Sequence, residues 1–172
     1  MRDQHLVQWF LDHGANPDTT ASLWDITPLS YAVEHAPLQT IKHLFSQGGS
    51  VKHGQLVNYA SNRTDNECLD VLQFLVDRGA PVNNTLWENQ PELIDRANCG
   101  ATTPLSNAVT VNNVEAVRFL LAHGADPLKP NKPTKSTPLS LAQTKGNLQI
   151  VELMKENIQA EYQQHIVRAK LA

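Results

Sequence analysis

Apolar residues recur along this chain as two short helical stripes closed by a glycine, and the pair returns several times. The pattern is cleanest over residues 103–127. Thr103 suits an N-cap, and Pro104 suits the first helical position, where a missing N–H costs nothing. Leu105, Ala108 and Val109 then make a narrow apolar face at helical spacing. Asn112 and Asn113 interrupt it as a turn. Val114, Val117, Leu120 and Leu121 form a second face at i, i+3, i+6 and i+7, and Gly124 is placed to end it in a left-handed C′ conformation. Helices this short are marginal alone. The pattern therefore predicts a unit that buries its faces against copies of itself.

Copies are present. Thr27-Pro28-Leu29-Ser30-Tyr31-Ala32, Thr103-Pro104-Leu105-Ser106-Asn107-Ala108 and Thr137-Pro138-Leu139-Ser140-Leu141-Ala142 are one hexamer three times, with a weaker version in Gln55-Leu56-Val57-Asn58-Tyr59-Ala60. The glycine stop recurs as Gly14-Ala15, Gly48-Gly49, Gly79-Ala80 and Gly124-Ala125. Thr103 to Thr137 is 34 residues, and so is Gly14 to Gly48. Thr27 to Ile41, Thr103 to Val117 and Thr137 to Val151 are each 14. Two landmarks keeping one period predict a stacked repeat array.

On these residues nearly the whole chain resembles the ankyrin repeat family. The resemblance implies an all-α solenoid of stacked helix-turn-helix pairs with hairpin loops, ended here by an extended C-terminal capping helix. One departure stands out. The fourth hexamer position is Ser30, Asn58, Ser106 or Ser140, where the family has a His that makes inter-repeat hydrogen bonds. A serine reaches less far, so a looser array is expected.

The units are expected at 1–18 (a half repeat, second helix only), 19–51, 52–81, 82–102 (an inserted hairpin loop), 103–128, 129–158 and 159–172 (a helical extension). The half repeat implies either a segment of a larger array or an open apolar edge through which copies self-associate. The unit at 52–81 is irregular. Gly48 to Gln55 is 7 residues where Gly14 to Thr27 is 13, and Gln55 to Leu72 is 17 where the other repeats have 14, which lengthens the turn at 61–66. Val151, Met154, Ile158, Tyr162 and Ile166 carry the last stripe past the point where a glycine would stop it, predicting a helix to about Arg168.

Composition mainly excludes. Fourteen Lys and Arg against 17 Asp and Glu give a net charge of −3, which makes no electrostatic case for nucleic acid or an anionic membrane. No apolar run is long enough for a membrane span and no signal peptide is visible. Cys68 and Cys99 are too few for a disulfide framework, so a reduced, intracellular protein is expected. Phosphate-loop, dinucleotide, zinc-protease, Cys-x-x-Cys and nucleophile-elbow motifs are missing, so neither an enzyme nor a cofactor or metal is expected. His13 and His123, each just before a glycine stop, read as partners of a helix C-terminus.

What remains is a recognition surface, which the resemblance places on the first-helix face and the hairpin tips. The fifth hexamer-register positions are Tyr31, Tyr59, Asn107 and Leu141, and the eighth are Glu34, Asn62, Thr110 and Thr144. The two aligned tyrosines either anchor a peptide or pack between repeats. Trp24 and Trp87 lie in tip segments, where each meets a partner or folds onto its own hairpin. Trp9 matches Phe74 and Phe119 in register, which predicts packing between helices. Lys129, Lys132 and Lys135 make a basic tip, either a solvated loop or a contact for an acidic partner. The expected function is a non-catalytic protein–protein interaction module, with Trp24, Tyr31, Glu34, Tyr59, Trp87, Asn107, Lys129, Lys132 and Lys135 as its candidate surface. The alternative is a scaffolding segment of a longer array, or the recognition arm of a multidomain protein. Specificity is expected in the insertion, over 82–96.

Overall fold

The computed structural model describes residues 4–21, 25–88, 100–132 and 134–171. Among them are nine helices: α1 Gln4–Asp12, α2 Pro28–His35, α3 Leu38–Ser46, α4 Leu56–Ala60, α5 Cys68–Val76, α6 Pro104–Thr110, α7 Val114–Ala122, α8 Pro138–Thr144 and α9 Leu148–Leu171. Extended pairing among the described residues is limited to single contacts, such as the antiparallel bridge of Ala101 with Lys132.

Local chemistry explains where each pair starts and stops. The Thr27, Thr103 and Thr137 side chains accept the N–H of Ser30, Ser106 and Ser140, with proline at the helix start in all three. Ser30 and Ser140 return the bond to the threonine N–H at 3.0 and 2.8 Å, which closes a capping box. Gln55 replaces the threonine ahead of α4, sits at φ +47 and caps nothing with its side chain. That helix is five residues long. At the second-helix ends, the residue after the glycine donates back to the helix: Ala15 to the Phe10 carbonyl, Gly49 to Leu44, Ala80 to Leu75 and Ala125 to Leu120, at 2.9–3.1 Å. Such a turn needs a left-handed residue, and Gly124 provides it at φ +82.

Two layers result. The first helices α2, α4, α6 and α8 pack on one another in chain order, and the second helices α5, α7 and α9 stack behind them. Leu29, Val33, Ile41, Val57, Val71, Leu72, Leu75, Leu105, Val117, Leu120, Ile150 and Met154 are buried between the layers and between repeats. The helical stripes therefore face inward as the periodicity requires. Helix α9 runs slightly further than predicted. Its stripe leaves the stack on the way: Met154 is buried, whereas Tyr162 is 65% exposed.

At the first joint the serine reaches its neighbour, whereas Ser106 and Ser140 bond within their own turns. Ser30 Oγ donates to the Gly54 carbonyl at 2.7 Å, an inter-repeat bond made by the residue thought too short to reach. The shortened connection after Gly48 brings the backbone to the serine. Gly54 allows this approach, because a Cβ there would lie 2.4 Å from Ser30 Oγ and 2.5 Å from Thr27 Oγ1. Asn58, in the same register, donates its amide to the Thr102 carbonyl at 2.9 Å. Asn131 Oδ1 accepts the Thr103 N–H at 3.0 Å.

The lengthened turn at 61–66 holds a residue the sequence pattern did not single out. Arg63 is 3% exposed. Its Nη1 donates to the Val33 and Ala36 carbonyls at 3.0 and 2.8 Å, where α2 ends. Its Nε and Nη2 form a fork on Asp65 at 3.0 and 2.6 Å, and Glu67 lies 3.6 Å from Nη2. Glu67 in turn accepts the Leu38 N–H at 3.1 Å at the start of α3. The extra turn residues thus clamp the unit before them.

Candidate functional site

The first-helix face presents its residues unevenly. Tyr31 on α2 is 56% exposed, and its ring meets His35 edge-on at 4.6 Å between centroids. Glu34, one turn along, accepts the Asn62 amide at 3.0 Å from the neighbouring repeat and lies 3.6 Å from His35 Nε2. Tyr59 on α4 is half-buried against the core. Tyr31 and Glu34 therefore form an accessible pair fixed to its neighbours, with Tyr59 lying deeper on the adjacent repeat.

Two candidates are corrected by burial. Asn107 is 7% exposed, and its amide donates to the Asn58 carbonyl at 2.9 Å. It belongs to the inter-repeat bonding, because its short side chain ends within reach of a neighbouring backbone. Trp87 is 5% exposed, and its backbone N–H donates to Gln55 Oε1 at 2.8 Å. The large ring is covered rather than offered, since Leu86 pairs its N–H with the Thr102 carbonyl at 3.0 Å and folds the segment onto the stack. Trp24, and the insertion from 89 onward within 82–96, lie outside the described residues.

The basic tip is partly occupied. Lys129 Nζ is 3.2 Å from Glu88 Oε1, and Glu88 Oε2 accepts the Thr85 N–H at 3.2 Å. Burial works against the charge on Glu88. The Lys129 and Thr85 hydrogen bonds, with the charges of Lys129 and Lys132, outweigh it and hold the carboxyl below its ordinary range. Lys132 exchanges backbone hydrogen bonds with Ala101 at 2.7 and 3.0 Å and stays exposed, as does Lys135. Two lysines, rather than three, are available at this tip.

The N-terminal helix corrects another expectation. Trp9 is 53% exposed rather than packed between helices, because no described helix covers that side of α1. Leu6 and Phe10 are exposed to a similar degree. The register with Phe119 holds in a different way. The His13 ring stacks on Trp9 at 3.9 Å and its Nδ1 donates to the Trp9 carbonyl at 2.7 Å, and His123 does the same with Phe119 at 4.1 and 2.8 Å.

Reactive chemistry is sparse among the described residues. Among the described residues no cluster of His, Cys, Asp and Glu has the arrangement to hold a metal ion. Burial pushes the Cys68 thiol up from its ordinary 9.0 to about 11, against a smaller lowering by Arg63. That thiol is a poor nucleophile at neutral pH. Among the described residues no helix is long and apolar enough to cross a membrane.

The comparisons with known proteins agree with the geometry. The family model described as ankyrin repeats (3 copies) matches residues 57–165. Alpha-latrocrustotoxin-Lt1a of Latrodectus tredecimguttatus is 28% identical over 152 residues, covering 88% of this chain and 8% of that protein. The 2-5A-dependent ribonuclease of Homo sapiens is 36% identical over 85 residues, covering 49% of this chain and 10% of that protein. The chain thus spans about a tenth or less of the length of the curated relatives it matches.

Proposed function

The chain belongs to the ankyrin repeat family, and from that membership we propose that it is a non-catalytic module binding a protein partner through its first-helix face and hairpin tips. Repeats of this family generally mediate protein–protein interaction. The observation that carries the reading is Tyr31: a large aromatic, 56% exposed, on a helix held by a capping box and beside the bonded Glu34–Asn62 pair. Aromatic residues on rigid supports dominate interface energies, because little side-chain entropy is lost when they dock. Tyr59 extends this surface along the stack, and Lys132 and Lys135 give its tip a positive edge. An intracellular setting, without nucleic acid or membrane as partner, belongs to the same reading. Neither the toxicity of the one relative nor the ribonuclease activity of the other is carried across, since the shared segment is a small part of either.

The test is capture of a native partner from lysate by the wild type and by Tyr31→Ala combined with Lys132→Glu and Lys135→Glu. Trp87 is left intact because it is buried. With melting temperature unchanged, capture should fall sharply. Undiminished capture would remove this surface from consideration.

A second reading, a scaffolding segment on which a further helix pair stacks, is supported by the half-exposed Leu6, Trp9 and Phe10 of α1. It predicts concentration-dependent self-association in sedimentation velocity. A monomer at all concentrations would count against it.

A further inference from the structure

The second-helix layer has a gap. Helices α3 and α5 touch less than α5 and α7 or α7 and α9 do. The gap opens where the irregular unit, with its short connection and long turn, meets the regular one before it. Its floor is the Phe45–Phe74 pair, set edge to face at 5.1 Å between centroids, with Val51 beside it. The open groove above has a volume of about 760 Å³, room for a stretch of peptide rather than a single side chain.

Two cations share this floor. The Arg78 Cζ lies 3.6 Å from the Phe74 centroid and 5.7 Å from that of Phe45, and its Nη1 donates to the Phe74 carbonyl at 3.1 Å. Lys42 Nζ is 6.0 Å from the Phe74 centroid. No acid lines the groove. Among the described residues neither cation forms an ion pair. Asp18 reaches the rim only behind Ser50, whose N–H and hydroxyl it accepts at 3.1 and 2.5 Å. Two like charges held over one aromatic pair, with no described carboxylate within ion-pair distance of either, leave a local positive potential at the groove. Asp70 and Asp77 nevertheless stand one turn either side of Phe74, on α5 and at its C-terminal cap. Stacking on Phe74 also orders the guanidinium in advance, so a carboxylate fork forms with less entropic loss.

We propose that the groove between α3 and α5 docks an acidic peptide segment bearing one large apolar side chain. The apolar group lies on Phe45 and Val51, beside the Phe74 ring that Arg78 covers, and carboxylates on either side of it meet Arg78 and Lys42. A nucleic acid is disfavoured, because its affinity depends on many phosphate contacts and only two cations line this floor. The groove is on the opposite layer from Tyr31, so the two surfaces are separable by mutation.

A displayed library of short peptides, each with several Asp or Glu around one Leu or Phe, is panned on the full chain, and a retained peptide is titrated by fluorescence anisotropy. Arg78→Glu and Lys42→Glu should each weaken binding about tenfold or more, and added salt should weaken it in the wild type. Ser46→Trp should block binding by filling the groove with no change of charge, while Tyr31→Ala should leave it unchanged. Far-UV circular dichroism melts confirm that each variant is folded. No retained peptide, retained peptides indifferent to all three groove variants, or loss through Tyr31→Ala would overturn the proposal. So would a labelled oligothymidylate that binds the groove as tightly as the peptide.

Discussion

Replacing Arg63 by methionine keeps much of an aliphatic stem and removes the guanidinium that joins the first two full repeats. Two buried carbonyls, Val33 and Ala36, lose their donor at the C-terminal end of α2. Each stranded carbonyl costs about 1–3 kcal/mol. Against this, burying the guanidinium carries its own desolvation penalty, which the variant relieves. Asp65 is half-exposed, so the carboxylate left behind rehydrates instead of remaining an uncompensated buried charge. The balance is a loss of about 2–4 kcal/mol, below the upper range for broken buried ion pairs. In a domain of this size that corresponds to about 4–16 °C in Tm. Arg63→Lys retains a charge but cannot reach both carbonyls and Asp65 together, and should lose about half as much. The assay is urea unfolding by far-UV circular dichroism, with hydrogen exchange to locate the damage. Exchange should quicken in α2 and α3 while α6 to α9 stay protected, because stability in a stacked array is local to each interface. A loss below about 0.5 kcal/mol, or loosening spread evenly over all repeats, would refute the assignment of Arg63 as the clamp.

Ser30→Ala and Ser140→Ala both remove a capping-box return bond, but only Ser30 also bonds another repeat, through the Gly54 carbonyl. Urea midpoints should show the Ser30 variant less stable by about 1 kcal/mol more than the Ser140 variant, and equal losses would contradict the inter-repeat bond. Cys68, in a Cys99→Ser background, should resist a thiol-specific disulfide reagent at neutral pH and react fully in denaturant. Its raised folded pKa gives a signed pH effect. The stability it contributes is complete below its ordinary 9.0 and is lost as the pH rises through about 11. Relative to Cys68→Ala, the wild type should lose about 1–2 kcal/mol across that window, reduced for solvent screening, and parallel pH curves would exclude the effect.

Elements that depend on neighbours in sequence were legible before any coordinates. The Thr-Pro starts, the glycine stops, the inward stripes and the overrun of α9 all follow from backbone hydrogen bonding and side-chain period. The candidate surface was legible only in part. Register put Tyr31 on the first-helix face, and the three lysines ahead of Thr137 marked the basic tip. Register could not separate Tyr31 from Asn107, because the same position is open on one repeat and closed against a neighbour on another. For Trp87, the partner that holds its backbone against the stack is Gln55, 32 residues away. The signal for Arg63 was present as three extra residues in the turn before α5. Nothing local marked its guanidinium as inward, since an arginine in a polar turn ordinarily reaches solvent.

The sequence by itself determined that this chain is an array of helix pairs, the boundaries of most pairs, and the family to which it belongs. Period and capping are written in residues a few positions apart. Only the tertiary structure decided how irregular repeats fit together: the serine that reaches Gly54, the arginine that clamps α2, the tryptophan that is covered, and the gap left between α3 and α5. Each depends on a distance between segments some 24 to 32 residues apart, set by how a shortened connection and a lengthened turn tilt one repeat on the next. No spacing rule within a repeat contains that distance.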